Sequence, residues 1–342
     1  MAIGPANYAG QATAWARAVA AHLPAEAWSF AAATPGAGFS FEVDKEIRPV
    51  SFRNPVLRGL RSRALFSRTT HVALDGFKTY FRAFQRGRLA GDARWLAERG
   101  WRVALISHGT DTRSPERHMG RLEWSYFRDG TADWRDAVSA NAAANRETAE
   151  DLGLPVFYST PDLALDLPGG TWLPVAVDVA RWASAAPVLE RPVPRVVHVP
   201  SNSVVKGTRH IEAVCAALAE RGVIEYIAPG RLPHAEMAGL VSSADVLIDQ
   251  VVSGYYGVAA VEAMAAGRVV IGSLAPDVRD LMPEPPPYLA ADPSTLLDTL
   301  TAVLDDRPAA QRRAAAGPAF ALRWHDGAES ARRLAPFLEV SP

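Results

Sequence analysis

Residues 195–208, RVVHVPSNSVVKGT, decide how this chain is interpreted. The apolar run at the start of this stretch predicts a buried strand, and the polar residues Ser201 and Asn202 follow that strand directly. A helix that restarts near Arg209 would direct its unpaired N–H groups, together with the ammonium of Lys206, toward one anion. The pattern therefore predicts a phosphate site.

A second motif follows at residues 254–267, GYYGVAAVEAMAAG. Gly254 and Gly257 mark a turn, and the residues after it have the pattern of a helix that carries Glu262. A cation that binds phosphate and a carboxylate that binds hydroxyl groups together indicate a nucleotide sugar as the ligand.

Strand-like runs alternate with helical patterns along the chain. Apolar strands separated by helices favour parallel sheets that are covered on both faces, so the predicted fold class is α/β. The predicted strands are Trp101–Ser107, Val156–Ser159, Arg195–Val199, Ile224–Ile227, Val246–Asp249 and Val269–Gly272.

The chain length of 342 residues exceeds the size at which a single hydrophobic core usually stops growing. Two domains are therefore expected, and the Pro-rich stretch from Leu173 to Pro194 is the predicted linker. The expected boundaries are 1–173 for the first domain and 174–324 for the second.

The composition is that of an ordinary globular protein. The formal net charge of -1 gives no attraction to nucleic acid or membrane. The single cysteine, Cys215, cannot form an internal disulfide and is interpreted as a small core residue of a protein in a reducing compartment. The first residues lack the pattern of a signal peptide, and no stretch has eighteen uninterrupted apolar residues, so we expect a cytoplasmic protein.

Two strand ends in the N-terminal half also carry candidate residues, because ligands of doubly wound sheets collect at the carboxyl ends of strands. One is the glycine-bearing loop after a short first strand, with Gly4, Asn7, Tyr8, Ala9 and Gly10. The other follows the strand that ends at Ser107 and contains His108, Asp111 and Arg113. A turn that needs glycine, and a structural hydrogen-bonded turn, are the respective alternatives.

These residues resemble a known family. Lys206-Gly207-Thr208, the strand ADVLIDQ at 244–250 and the segment at 256–267 resemble the donor domain of GT-B glycosyltransferases, with family 4 the nearest match. The N-terminal half shares the resemblance through the loop at 4–10, the turn at His108 and the stretch STPDL at 159–163.

The resemblance implies a GT-B fold, with two Rossmann-like domains that face each other across a cleft. The N-terminal domain would bind the acceptor and the C-terminal domain the nucleotide-diphosphate sugar, and a C-terminal helix within 325–342 would return to the first domain. The implied enzyme is a hexosyl-type glycosyltransferase that retains the anomeric configuration and uses neither a bound metal nor a cofactor. Its acceptor would be a saccharide, a lipid-linked molecule or a small molecule.

The resemblance also implies roles for individual residues. Lys206 would neutralise the departing diphosphate, and Glu262 would accept hydrogen bonds from the ribose of the nucleotide. His108 would bind a hydroxyl of the transferred sugar, while the loop amides from Asn7 to Gly10 would approach the diphosphate or the acceptor. The turn Tyr255-Tyr256-Gly257 would bind the sugar and phosphates, although an aromatic pair before a helix is often only packing.

Two positions depart from the family pattern. Ser201 replaces an arginine, and Gly254 replaces the first glutamate of a pair whose second member is Glu262. Neutral hydrogen bonds from Ser201 or Asn202 are weaker than those of a guanidinium. The backbone near Gly254, or the side chains of Asp249 and Gln250, would have to bind the sugar instead.

The N-terminal half also contains a basic segment, 45–88, in which arginines and lysines far outnumber Glu46 and Asp75. Interleaved with apolar residues that include Phe66, it could contact an anionic membrane face, a phosphorylated lipid or an acidic glycan. The alternative is a set of solvated helix faces. Nucleic acid is not expected, because no matching motif accompanies the basic residues.

Other chemistries lack their motifs, since there is no His-Glu-x-x-His helix, Walker loop or Gly-x-Ser-x-Gly elbow. Two alternatives to the transferase remain open. A nucleotide-sugar epimerase or hydrolase of the same fold would release product without an acceptor. A non-catalytic protein would keep the nucleotide site and lose turnover. The departures from the family pattern at Ser201 and Gly254 are the reason to keep this alternative.

Overall fold

The computed structural model describes residues 1–32, 41–47, 60, 62–79, 89–230 and 232–341. The chain folds into two parallel sheets, each with helices between its strands. The expected α/β class is confirmed.

The first sheet has the strand order β3-β2-β1-β4-β5-β6-β7, and all its neighbours are parallel. Its strands are β1 (Ala2–Gly4), β2 (Trp28–Ala32), β3 (Lys45–Ile47), β4 (His71–Asp75), β5 (Arg102–Ser107), β6 (Val156–Tyr158) and β7 (Thr171–Trp172). The helices along this part of the chain are α1 (Gln11–His22), α2 (Leu89–Ala97), α3 (Pro115–Arg121), α4 (Tyr126–Asp129) and α5 (Ala132–Leu152), with short 3-10 turns at Tyr8–Gly10 and Pro161–Leu165.

The second sheet has the order β12-β11-β10-β8-β9 and is also entirely parallel. Its strands are β8 (Arg195–Val197), β9 (Glu225–Ile227), β10 (Val246–Ile248), β11 (Val269–Gly272) and β12 (Leu289–Ala290). The helices along the rest of the chain are α6 (Val179–Trp182), α7 (Ser203–Lys206), α8 (Thr208–Glu220), α9 (His234–Ser243), α10 (Val258–Ala265), α11 (Pro276–Arg279), α12 (Leu296–Asp305), α13 (Arg307–Trp324) and α14 (Ala328–Leu338).

The chain divides into two compact units. Unit 1 comprises Met1–Ser114, Val138–Ala176 and Gly327–Pro342, and unit 2 comprises Pro115–Ala137 and Val177–Asp326. The segment Pro115–Ala137 precedes β6 and β7 of unit 1 in the chain, yet it packs with unit 2. Nothing in the hydrophobic pattern of that segment distinguishes the two packings, because an amphipathic helix can cover either sheet.

The core of unit 1 joins the first helix to the last. Helix α14 places Ala331, Leu334, Ala335 and Leu338 on one face, which is the spacing of an amphipathic helix. These residues lie in one buried cluster with Trp15 and Val19 of α1. The indole N–H of Trp15 donates to the carbonyl of Pro174 at 2.8 Å, so the polar atom of this core residue is satisfied.

The predicted strands match observed strands to within two residues at each end. The sequence patterns did not predict β2, β3, β4, β7 or β12. The structure buries all five residues of β4 and leaves Asp75 with no exposed surface. Cys215 is fully buried, as a core residue would be.

Half of the basic segment 45–88 lies outside the described residues. Of the residues that are described, Arg63 and Arg68 are exposed, whereas Phe66 is buried among the aromatic rings of Trp28 and Phe30. Phe66 therefore belongs to the core and not to a surface that could contact a membrane. Among the helices that the structure describes, none is both long and apolar enough to cross a membrane.

Candidate functional site

The loop after β8 in unit 2 is the predicted phosphate site, and local hydrogen bonds fix its course. The side chain of Asn202 accepts from the amides of Val204 and Val205 at 3.1 and 3.2 Å and so caps the single turn of α7. Gly207 then adopts a left-handed conformation with φ 70°, and α8 starts at Thr208 without a side-chain cap. The first amides of α8 therefore keep the anion-binding character of a helix start.

Beneath this loop lies His198, of which only 1% is exposed. Its Nδ1 contacts the carbonyl of Ile248 at 2.8 Å, and its Nε2 contacts the hydroxyl of Thr208 at 2.9 Å. Burial lowers the pKa of His198 to about 4, so the neutral ring donates from Nδ1 and accepts at Nε2. The imidazole thus ties the end of β10 to the first residue of α8.

Lys206 forms an ion pair with Asp249, which directly follows β10. The other carboxylate oxygen of Asp249 accepts from the amide of Gly257 at 2.9 Å. Gly257 is the residue before α10, so the carboxylate of Asp249 occupies the start of a helix. A β-carbon at Gly257 would lie 3.1 Å from Lys206 Nζ. The glycine therefore lets the ammonium of Lys206 lie close to the backbone of residue 257.

Glu262 lies on α10 and is buried, with 7% of the residue exposed. Its Oε1 contacts Nε2 of His234, the first residue of α9, at 3.3 Å. Burial raises the pKa of the Glu262 carboxyl, while His234 and then Lys206 oppose that rise. Glu262 is therefore not a solvent-facing carboxylate of its helix.

The turn between β10 and α10 is held by side chains within unit 2. The hydroxyl of Ser273 accepts from the amides of Ser253 and Gly254 at 3.2 and 2.8 Å and donates to the carbonyl of Gln250 at 3.0 Å. The amide of Gln250 donates from Nε2 to the carbonyl of Tyr255 at 2.6 Å. The Nε2 of Gln250 is therefore engaged within the turn.

Both tyrosine side chains of this turn are buried. The hydroxyl of Tyr256 contacts Nε2 of His325 at 3.0 Å, and its ring lies against Tyr288 and Phe320. Tyr255 packs in a small cluster with Val278. These contacts agree with the alternative that the two tyrosine side chains only pack in the core. If the turn binds a ligand, its backbone would make the contacts.

Gly254 has φ 73°, a conformation that favours glycine. A β-carbon there would lie 2.8 Å from Cδ1 of Leu122, which follows α3. The space that a side chain at position 254 would enter is thus filled by the segment Pro115–Ala137. This gives a physical reason for the absence of a glutamate at this position.

The candidate residues of unit 1 centre on Asp75, which the sequence interpretation missed as a site residue. One carboxylate oxygen accepts from the amide of Ala6 at 2.6 Å, and the other accepts from the amide of Asn7 at 2.8 Å. Asn7 and Ala9 have left-handed backbones, which are rare for residues other than glycine. Asp75 holds the loop in this conformation, so the amide of Asn7 is already engaged.

The rest of that loop is organised around Asn7 and Tyr8. The amide of Gly10 donates to the carbonyl of Asn7 at 3.1 Å, and the β-carbon that Gly10 lacks would lie 3.0 Å from the ring of Phe41. Tyr8 is 42% exposed, and the ammonium of Lys78 lies 4.8 Å from the centre of its ring. Of the predicted loop residues, Tyr8 therefore presents the largest exposed side chain.

His108 lies next to Asp75, with 3.3 Å between its Nε2 and Oδ2 of the carboxylate. The imidazole ring is flanked by Tyr8 at 5.3 Å and by Trp15 at 5.4 Å. A carboxylate acceptor at Nε2 favours the tautomer with its hydrogen on that nitrogen. The structure thus brings His108 next to the loop at 4–10.

Asp111 and Arg113 support the turn that carries His108. Asp111 accepts from the amides of His108 and Gly109 at 3.0 and 2.7 Å, and from the hydroxyl of Ser107 at 2.9 Å. Arg113 is 1% exposed and donates to Asp162 at 2.6 and 3.2 Å. Both side chains have the contacts of a structural turn, and their charges are satisfied within unit 1.

The described residues contain no group of three or more histidine, cysteine and acidic side chains that could hold a metal ion. The residues that sequence reasoning missed are Asp75, His198, His234 and Ser273. Of these, Asp75 had a signal, because the run His71–Asp75 is an apolar strand that ends in a carboxylate before a glycine.

The sequence matches no protein-family model and no curated protein. Solved structures do match the whole fold. Sucrose-phosphate synthase from Thermosynechococcus elongatus has a TM-score of 0.62 at 13% identity, over 95% of this chain and 91% of that chain. The Anabaena protein HepE, in complex with UDP-glucose, has a TM-score of 0.58 at 13% identity, over 87% of this chain and 85% of that chain.

A third similar structure is a trehalose-6-phosphate synthase whose glycosyltransfer proceeds with retention. It has a TM-score of 0.57 at 13% identity and covers 100% of this chain and 99% of that chain. At these identities the similarity establishes the fold, which is the GT-B fold of glycosyltransferases. The predicted GT-B fold is confirmed.

Proposed function

We propose that this protein is a glycosyltransferase that transfers a sugar from a nucleoside diphosphate to an acceptor, with retention of the anomeric configuration. The observation that carries the proposal is the cluster of Lys206, Asp249 and Glu262 at the carboxyl edge of the second sheet, where ligands of such sheets bind. The GT-B fold and the UDP-glucose bound by a protein of the same fold support it.

Lys206 is the proposed partner of the diphosphate. Its ammonium is paired with Asp249, and the Asp249 carboxylate also accepts from the amide before α10. A phosphate oxygen at this place would use the same two donors that the Asp249 carboxylate contacts. As the glycosidic bond breaks, the ammonium would stabilise the charge that develops on the leaving diphosphate.

Glu262 is the proposed ligand of the ribose. Burial raises the pKa of this carboxyl, and its side-chain hydrogen-bond partner among the described residues is His234, which leaves oxygen lone pairs for hydroxyl donors. A hydroxyl pair of a ribose can donate to such a group without leaving a buried polar atom unsatisfied. The role is to orient the donor, and proton transfer is not required of Glu262.

The acceptor is proposed to bind in unit 1 near Tyr8, and His108, which Asp75 contacts, is proposed to bind a hydroxyl of the transferred sugar. With Asp75 at Nε2, His108 keeps Nδ1 as an acceptor for a sugar hydroxyl. The exposed ring of Tyr8 offers an apolar face against which a sugar can pack. We also propose that the donor sugar is a hexose and that the protein is located in the cytoplasm.

The test is nucleotide binding measured by calorimetry with UDP, GDP, ADP and dTDP, and then with their sugars. We expect one nucleotide to bind, and Lys206→Ala to weaken it by about 30-fold, because a charge-assisted bond to phosphate contributes roughly 2 kcal/mol. Arg221→Ala is the matched control, since Arg221 is an exposed cation of unit 2 at the end of α8. Equal weakening by both substitutions would contradict the assignment of Lys206.

Turnover distinguishes the alternatives. Formation of a glycoside whose anomeric configuration equals that of the donor, followed by NMR, is the expected result. Sugar release or epimerisation without an acceptor would identify a hydrolase or an epimerase of the same fold. Nucleotide binding that depends on Lys206, with no turnover of any donor, would identify a non-catalytic protein.

A further inference from the structure

Glu262, the proposed ribose ligand, contacts an imidazole that has no role in the function proposed above. His234 is the first residue of α9, and its Nε2 lies 3.3 Å from Oε1 of Glu262. The two residues are 28 positions apart in the chain, so the contact depends on the packing of α9 against α10. The fold of unit 2 thus places a titratable side chain directly beside the buried carboxyl.

The two side chains of this pair differ in their exposure. The side chain of Glu262 is 9% exposed, whereas that of His234 is 30% exposed. The imidazole ring lies against the indole of Trp182 on α6, with 5.9 Å between the ring centres, and Trp182 is itself buried. Trp182 therefore restricts the orientation of the imidazole, while the imidazole remains accessible to solvent.

Burial opposes the negative charge of Glu262, and His234 opposes the effect of burial. The charged and titratable groups that act on the carboxyl are His234 of α9, Lys206 of α7 and Asp249 after β10. Burial raises the pKa of Glu262, His234 lowers it more than Lys206 does, and Asp249 raises it. His234 is thus the neighbour that most favours the ionised form of Glu262.

The ionisation of Glu262 decides how this side chain can bind a ribose. An ionised carboxylate only accepts hydrogen bonds, so two neighbouring hydroxyl groups can both donate to it. A protonated carboxyl has an O–H that needs an acceptor of its own, and it forms weaker bonds with hydroxyl groups because it carries no charge. With Nε2 of His234 at Oε1, the other oxygen and one lone pair of Oε1 are left for the ribose.

We propose that His234 is a positioning residue of the nucleotide site, which holds Glu262 ionised and oriented for the hydroxyl groups of a ribose. This inference rests on the proposed binding of a nucleotide at Glu262. His234 acts through the carboxylate, and no contact between its side chain and the nucleotide is required. Its effect should therefore appear in the selectivity for ribose hydroxyl groups and in the pH dependence of that selectivity.

The first test compares the nucleoside diphosphate selected by calorimetry with its 2′-deoxy counterpart, from about pH 5 to pH 8. Near neutral pH the parent protein should prefer the ribonucleotide by at least about tenfold, because a hydrogen bond to a charged acceptor is strong. As the pH falls and Glu262 takes up a proton, this preference should decrease.

Three substitutions assign the preference to His234. His234→Phe keeps a ring against Trp182 but removes the N–H, so the preference should fall to about threefold or less and should disappear at a higher pH than in the parent protein. His234→Gln should retain more of the preference, because its amide can donate in place of Nε2. His22→Phe is the matched control, since His22 is an exposed histidine of unit 1, and it should leave the preference unchanged.

The second test follows Glu262 itself without a nucleotide. NMR of the side-chain carboxyl carbons of glutamate, with the Glu262 signal assigned by its absence from Glu262→Gln, should show protonation at a higher pH in His234→Phe than in the parent protein. The inference is overturned if this titration is unchanged, or if His234→Phe weakens both nucleotides equally, as loss of packing alone would. If the parent protein binds no nucleotide, the proposed function fails and the role of His234 in ribose binding fails with it. An unchanged titration with intact nucleotide binding overturns the inference alone.

Discussion

The two units each place a buried aspartate directly at or after the end of an inner strand, and the two carboxylates have different kinds of partners. Asp75 in unit 1 accepts from two backbone amides of one loop and contacts a histidine. Asp249 in unit 2 accepts from one amide and pairs with the ammonium of Lys206. Backbone amides cannot leave their carboxylate without unfolding the loop, whereas a lysine side chain can move to another anion.

This difference separates a structural carboxylate from one that a ligand can replace. The bonds of Asp75 fix a loop with left-handed residues, so their loss would cost folding free energy. The ion pair of Asp249 holds the ammonium of Lys206 at the proposed phosphate site. The same residue type, at equivalent strand ends, is thus expected to govern stability in one unit and ligand affinity in the other.

The largest expected effect is on the stability of unit 1. Asp75→Ala should lower the free energy of unfolding by about 3–5 kcal/mol, because two buried amides and a histidine lose a charged acceptor. Asp249→Ala should lower it by a smaller amount, about 1–3 kcal/mol, because one amide and one ammonium lose their acceptor while the flexible side chain of Lys206 can turn toward water. Urea denaturation, monitored by hydrogen exchange of the amides of each unit, measures the loss of unfolding free energy for both substitutions. Equal losses for the two substitutions would break the comparison.

The next largest effect is a loss of the stability of unit 2 at acidic pH. His198 has its pKa lowered from 6.5 to about 4 by burial, so the unfolded chain takes up a proton first as the pH falls between these values. The stability of unit 2 should therefore decrease across that window, by up to about 3 kcal/mol at its lower end. Hydrogen exchange of the β8 and β10 amides at a series of pH values measures this decrease.

His198→Gln is the control for that measurement, because glutamine has no proton to take up in this range. Its unit 2 should be less stable near neutral pH, through loss of the bonds to Ile248 and Thr208, but its stability should vary less with acid. A variant that retained the full acid dependence would assign the effect to another group.

A smaller effect is expected on nucleotide affinity. Asp249→Asn keeps an acceptor for the amide of Gly257 but removes the charge that competes with phosphate for Lys206. We expect the nucleoside diphosphate to bind about tenfold more tightly, a gain of roughly 1.4 kcal/mol that shrinks with added salt. Calorimetry at two ionic strengths measures it. Weaker binding by Asp249→Asn would instead show that the carboxylate positions Lys206 for the ligand.

The smallest expected effect is the pH dependence due to Glu262. Its pKa is raised above the usual 4.5, so the folded protein keeps a proton that the unfolded chain loses as the pH rises past that value. Folding stability should therefore decrease as the pH rises from there to the folded pKa. Glu262→Gln should remove this slope and leave the protein at least as stable at neutral pH, while weakening nucleotide binding. Thermal unfolding across the pH range, with and without nucleotide, tests both statements.

The strands of the second sheet were predictable because their side chains face helices on both sides. Runs such as Val246–Ile248 and Val269–Gly272 are uniformly apolar, and few structures other than a buried parallel strand suit such a run. Strand β4 has the same character, yet its final aspartate and the surrounding arginines concealed it. From the sequence alone, a charged side chain is usually assigned to the surface, because the groups that would hydrogen-bond to it in the interior are not known.

The packing of Tyr255, Tyr256 and Arg113 was not predictable from their positions in the chain. Each has a partner far away in sequence, such as His325 for Tyr256 and Asp162 for Arg113. A side chain that is satisfied by such a partner has the same local sequence as one that awaits a ligand. The proposed roles of Lys206, Glu262 and His108 remain predictions that the substitutions above can test.

The sequence by itself determined the α/β class, the parallel strands and the positions where strands end in polar residues, because these depend on local periodicity and on the chemistry of single side chains. Only the tertiary structure decided that Pro115–Ala137 packs with unit 2, that Leu122 fills the space beside Gly254, and that Asp75 and Asp249 have different partners. Those outcomes depend on contacts between residues that are distant in the chain, and a periodic pattern carries no information about which distant residue will be the neighbour.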